Sequence, residues 1–145
     1  MTGWDEFGEG LAEQLSTLAT GSVLILRESA PTGRYAQFMQ DDDRLGAELV
    51  GDHYLEPGVR AGEQGGRLIA EAGWQRPEDT VYGHNWQAEL PWPSASDAYR
   101  RLAAMTVTGL RDGLRITGPK DLVYKAWTRR NRPLQLPLLG LASMP

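Results

Sequence analysis

At 145 residues, with no cysteine and only two histidines, the chain has the size of one compact domain, and thiol catalysis, thiolate zinc sites and a disulfide framework are excluded. Its formal charge of −4 is uneven: positions 120–145 carry Lys120, Lys125, Arg129, Arg130 and Arg132 against Asp121 alone, which leaves −8 on residues 1–119. Such an acidic body argues against a nucleic-acid partner, and with no apolar run near the ~20 residues of a membrane span and no basic leader, a cytoplasmic protein with no membrane partner is expected.

In chain order, Trp4, Phe7, Leu11, Leu15 and Leu18 recur at steps of three and four and predict an amphipathic helix with an acidic first turn and a stop at Thr20-Gly21. Ser22-Val23-Leu24-Ile25-Leu26-Arg27 is apolar on both faces, as an inner strand requires. Pro31 and Gly33 then turn the chain into a hairpin over residues 34–50, whose exposed turn is Asp41-Asp42-Asp43. Alternation puts Ala36, Phe38 and Gln40 on one face and Tyr35, Gln37 and Met39 on the other, so the first face reads as core and the second as partly wet. Glu48, opposite Ala47 and Leu49, is expected to be solvated.

Residues 61–72 predict a short helix, weakened by Gly65 and Gly66 and dependent on Leu68 and Ile69 for docking, with Gly73 as its left-handed stop and Trp74 folding back on Ile69. An extended segment over 81–90 follows. Ser94 with Asp97 resembles a capping box opening the longest helix, residues 95–112, whose small side chains Ala103, Ala104, Thr106 and Gly109 permit close approach to a sheet or a twin helix. Residues 122–127 predict a last strand. Beyond Thr128 the chain turns basic and then rich in Pro and Leu; this tail, 129–145, must lie along its own domain, occupy a partner's groove or remain frayed.

The motifs of chemistry are missing. The three consecutive aspartates lack the spacing and glycine of a calcium loop. His53 beside Asp52 and His84 near Glu89 are the only conceivable acid–base pairs, and nothing in the sequence places a helper against either. The glycines of Gly62-Glu63-Gln64-Gly65-Gly66-Arg67 have neither phosphate-loop nor dinucleotide spacing and read as a bend or close packing. The five tryptophans lack an accompanying basic stripe and read as packing. No catalytic residue, cofactor or metal set is expected.

The element order, with Trp4-x-x-Phe7, Arg34-Tyr35-Ala36-Gln37-Phe38, Ala47-Glu48-Leu49, Tyr54-Leu55, Leu68 to Gly73-Trp74, Leu110-Arg111-Asp112 and Pro119-x-x-Leu122-x-Tyr124, resembles the actinobacterial TY-Chap domains, named for likeness to type III secretion chaperones and YbjN-type proteins. The likeness spans residues 4–126; Gly51-Asp52-His53 stands where the pattern has a Ser-Asn pair, and the tail lies outside it. It implies a type III secretion chaperone-like α+β fold: helix, three-strand antiparallel meander, helix, strand, long helix, strand. It also implies a non-enzymatic module that binds a peptide or protein client, and a homodimer.

The sequence therefore reads as one domain over 1–128 plus a tail, with Tyr35, Gln37 and Met39 as peptide-binding candidates on the wetter sheet face. Two rival readings are a small enzyme using a cleft near His53, Glu48 or His84, and an immunity or structural interaction protein docking through its tail.

Overall fold

The computed structural model describes residues 3–144. The elements are α1 (Trp4–Ser16), β1 (Val23–Glu28), β2 (Tyr35–Gln40), β3 (Arg44–Leu49), α2 (Gly62–Ala72), β4 (Trp86–Pro91), α3 (Ser96–Thr108), β5 (Leu122–Trp127) and β6 (Ala142–Ser143). They form one mixed sheet in the order β4-β3-β2-β1-β5-β6, antiparallel except for the β5/β6 pair. This is the expected α+β architecture, type III secretion chaperone-like, with helices packed on a sheet.

Strand alternation sorts the side chains. Leu24, Leu26, Ala36, Phe38, Leu45, Ala47, Leu49, Tyr124 and Ala126 all point to one face, where Phe7, Leu11 and Leu15 of α1 and Tyr99, Leu102 and Thr106 of α3 bury them in one continuous core. Gln40 shares that face because its Nε2 donates to the carbonyls of Asp41 (2.9 Å) and Arg44 (3.2 Å), holding the hairpin turn from within. The three aspartates of that turn are exposed, as the sequence required.

Four local expectations change. The strand predicted over 81–90 exists only as β4: residues 81–85 bend, Gly83 has φ +71, and Tyr82 uses its carbonyl to accept from Gln87 Nε2. Ser94 is no cap, since its hydroxyl donates to the Pro91 carbonyl and Ala95 occupies the N-cap position without a side-chain bond. Leu68 does not dock: it is 37% exposed, while Ile69 is fully buried. The long helix ends earlier, as α3 passes into a π-turn, Gly109–Gly113, closed by Leu114 N–H donating to Gly109 O at 2.8 Å.

Of the small residues expected to permit close approach, Ala103, Thr106 and Gly109 are buried inside the chain and Ala104 stays exposed. A Cβ on Gly109 would stand 2.6 Å from Leu49, and one on Gly65 2.5 Å from the Gly113 carbonyl. Close packing explains Gly65, whereas Gly62 serves a bend, with φ +73 and open space around it.

The tail lies along its own domain. Leu134 N–H donates to Ala126 O and Met144 N–H to Tyr124 O, so the segment pairs with the outer edge of β5 at two points. Between them Leu136 and Leu139 enter the core beside α1.

Candidate functional site

Because the helices cover one face of the sheet, the other is left as a surface of strand side chains. Register aligns them in rows: Trp127, Val23, Met39, Gly46 and Glu89 in one, and Lys125, Ile25, Gln37, Glu48 and Gln87 in the next. The first row is apolar at its centre; the second turns polar toward β4. Met39 is 50% exposed, and Tyr35, Gln37, Val23 and Ile25 are half-buried. The expected mixed face therefore exists.

A shallow groove of about 370 Å³ runs over this face, floored by Val23, Gln37, Met39, Gly46 and Glu48 and walled at the β4 end by Tyr82 and Gly83. Of the three predicted contacts, Gln37 and Met39 line it and Tyr35 stands beside it. Tyr35 is held by a polar cluster that sequence reasoning missed: the buried Asn85 donates through Nδ2 to Tyr35 Oη (2.9 Å) and Glu48 Oε1 (3.3 Å), while its Oδ1 accepts the Gly51 N–H at 2.9 Å. Gln37 Nε2 donates to the other Glu48 oxygen at 2.7 Å. Glu48 is thus half-buried and doubly bonded rather than simply solvated. The only sequence signal was an Asn directly preceding a strand, where its side chain can serve a neighbouring backbone.

Charge at the groove's rim is paired on the surface. Arg44 reaches Glu89 at 3.2 Å and Asp41 at 3.9 Å, and Arg129 of the tail reaches Asp42 at 3.7 Å. All of these groups are more than half exposed, so each pair contributes at most about 1 kcal/mol. Lys125 Nζ lies 5.7 Å from the Trp127 ring, extending the apolar row with a cation.

The two histidines come together, though not with carboxylates. His53 and His84 stack at a centroid distance of 3.8 Å and an interplanar angle of 25°, with Tyr54 edge-on to both. Both are exposed. Asp52 caps α2 instead, accepting from Ala61 N–H (2.8 Å) and Gly62 N–H (3.0 Å), and Glu89 is taken by Arg44. Neither acid–base pair imagined from the sequence is formed. Among the described residues no cluster of three or more His, Asp or Glu side chains is disposed to hold a metal ion, and no helix is long and apolar enough to cross a membrane.

The site is accordingly a wet, partly apolar sheet surface with a built polar margin. No curated protein and no solved structure matches the chain significantly. A family does: residues 1–128 match TY-Chap3, described as T3SS (YopN, CesT) and YbjN peptide-binding chaperone 3. The match covers every element from α1 to β5 and stops where the tail begins, so the chain belongs to this family of peptide-binding chaperones.

Proposed function

We propose that the protein is a non-enzymatic, cytoplasmic chaperone- or adaptor-like module that shields an extended, partly apolar segment of a client protein on the open face of its sheet. The observation that carries this reading is the groove over Val23, Gln37, Met39 and Glu48, in a chain of a peptide-binding family. Met39 and the flanking apolar row offer adaptable contact to client side chains. Gln37 and Glu48 offer hydrogen-bonding groups that are held in place by their mutual bond and by the Asn85 amide.

A homodimer belongs to the same proposal. Its contact lies away from Gly65, Ala103, Thr106 and Gly109, which are buried within one chain, while Ala104 of α3 is left exposed. The tail is a strap appended to the domain, its described residues 129–144 including two buried leucines, Leu136 and Leu139, already seated in cis.

The test is site-specific photocrosslinking from position 39 of the full chain, followed by calorimetry with a synthetic peptide of the captured segment. Crosslinks to one extended client segment are expected, and Met39→Asp should weaken the peptide by roughly tenfold or more. Crosslinks that map to the helical face when the probe is moved there, with Met39→Asp binding normally, would overturn the assignment.

A further inference from the structure

The chain's two imidazoles are stacked face to face on the far side of the groove's wall, and their backbones are locked together. Gly51, two residues before His53, carries no Cβ where one would stand 1.8 Å from the His84 carbonyl oxygen, and its N–H donates to Asn85 Oδ1. On one side of His84, Tyr82 and Gly83 wall the groove. On the other, Asn85 holds Tyr35 and Glu48. A backbone displacement at His84 would therefore reach both the wall and the polar margin.

We propose that His53 and His84 form a proton-operated latch that sets the groove's wall, a regulation that rests on the groove being the peptide surface. Stacking at 3.8 Å suits two neutral rings, or one ring and one cation over its face. It does not suit two imidazolium ions, which repel at that separation. Histidine ordinarily titrates between pH 5 and 8, and both rings are exposed to solvent protons.

The groups facing the pair do not relieve that repulsion. Asp52 has its two oxygens on the Ala61 and Gly62 N–H groups, and Tyr54 offers a ring edge. Glu63 and Arg67 from α2, and Arg76 and Glu78 from the segment before β4, line the same cleft of about 630 Å³ as two acids and two cations. Arg76 is drawn toward the Trp86 ring, at 5.8 Å. Counting Asp52, the cleft holds three acids and two cations, and one net negative charge does not cancel two imidazolium charges, so the second proton on the pair decides. At neutral pH the latch is shut; in acid the rings part, residues 81–85 loosen, Asn85 withdraws from Glu48 and Tyr35, and the peptide's affinity falls.

The test is made first without peptide, on the full chain, by NMR and amide hydrogen exchange between about pH 7.5 and 5.5. After correction for intrinsic exchange, the Gly51 amide, whose acceptor is Asn85 Oδ1, should lose protection by roughly tenfold at the lower pH. In His53→Phe, which keeps a ring face without a second proton, that loss should vanish. The latch is overturned if the Gly51 amide does not respond in the wild type, or if His53→Phe responds equally. Opening with unchanged affinity for a peptide that binds at position 39 overturns its control of binding. Absence of peptide binding already at pH 7.5 is a failure of the groove reading, seen in a separate measurement.

Discussion

The carbonyl oxygen of Leu138 lies against the bare backbone of Gly10 in α1, where a Cβ would stand 1.9 Å from it. The Leu138 N–H in turn donates to Gln14 Oε1 one helical turn on, at 3.0 Å, so the tail is seated on α1 by a close approach that only glycine allows and by a buried amide.

Gly10→Ala should therefore destabilise the protein. In an isolated helix the change would be favourable by about 1 kcal/mol. Here the added methyl forces the turn Pro137–Leu139 off its seat and loosens Leu136 and Leu139, each worth about 1.5–3 kcal/mol when fully buried. The burial loss wins, and a net cost of about 1–3 kcal/mol is expected in urea unfolding, with faster proteolysis in the basic turn at 129–132. A more stable Gly10→Ala variant would show that the tail is not seated this way.

The same contest is settled the same way at Gly65. Helix propensity favours Ala there, but its Cβ would lie 2.5 Å from the Gly113 carbonyl, a backbone atom that cannot swing aside. Gly65→Ala is expected to cost about 1–3 kcal/mol by thermal or urea unfolding. Gly58→Ala, with open space around the position, serves as the neutral comparison.

These glycines show which parts of the fold were legible. Alternation in Tyr35-Ala36-Gln37-Phe38-Met39-Gln40 set the two faces of β2, and the step of three and four in α1 set its buried stripe, because both depend only on local period. Gly65 and Gly66 signalled a weak helix without showing that the weakness is offset by contact with the π-turn, a partner 48 positions away. Residues 81–85 read as extended, but Tyr82 accepts locally from Gln87 and Asn85 uses tertiary partners that sequence period cannot display. The stacking of His53 on His84 was illegible for the same reason. It depends on Gly51 meeting the His84 carbonyl.

A buried ion pair gives the third prediction. Arg34 Nη1 lies 3.5 Å from Glu28 Oε1 with both side chains about nine-tenths buried, and Arg34 Nε donates to the Val59 carbonyl at 2.9 Å. Arg34→Ala leaves the Val59 carbonyl without its donor and Glu28 with the Thr32 hydroxyl alone and no cation, and a loss of about 3–5 kcal/mol is expected. Arg100→Ala, which breaks the exposed pair with Asp97, should change stability by less than about 1 kcal/mol. Equal effects of the two substitutions would contradict the burial assigned to Arg34.

Arg111 and Asp112 supply a pH-dependent comparison. The hydrogen bond from Arg111 holds the Asp112 carboxyl below its ordinary range, and the same bond raises the Arg111 guanidinium. A depressed carboxyl stabilises the fold above its unfolded pKa, and that contribution disappears as pH falls through the lower folded value. With both side chains about two-fifths exposed, it amounts to less than about 1 kcal/mol. Asp112→Asn should thus be slightly less stable than the wild type at neutral pH, and the gap should close in acid below about pH 3.

Asn85 carries the last prediction, since one side chain satisfies the Gly51 N–H, Tyr35 Oη and Glu48 at once. Asn85→Ala leaves a buried N–H without an acceptor and is expected to cost about 1–3 kcal/mol. Asn85→Asp keeps the acceptor for Gly51 but sets a second carboxylate where Nδ2 now lies 3.3 Å from Glu48 Oε1. Two carboxylates that close cannot both ionise cheaply, so the pair takes up a proton above the ordinary carboxylate range. Its destabilisation should be largest at neutral pH and shrink as the pH falls toward about 5, whereas that of Asn85→Ala should not recover over this window. Melting temperatures of the two variants against pH separate the cases: parallel curves would mean that Asn85 and Glu48 do not share a site.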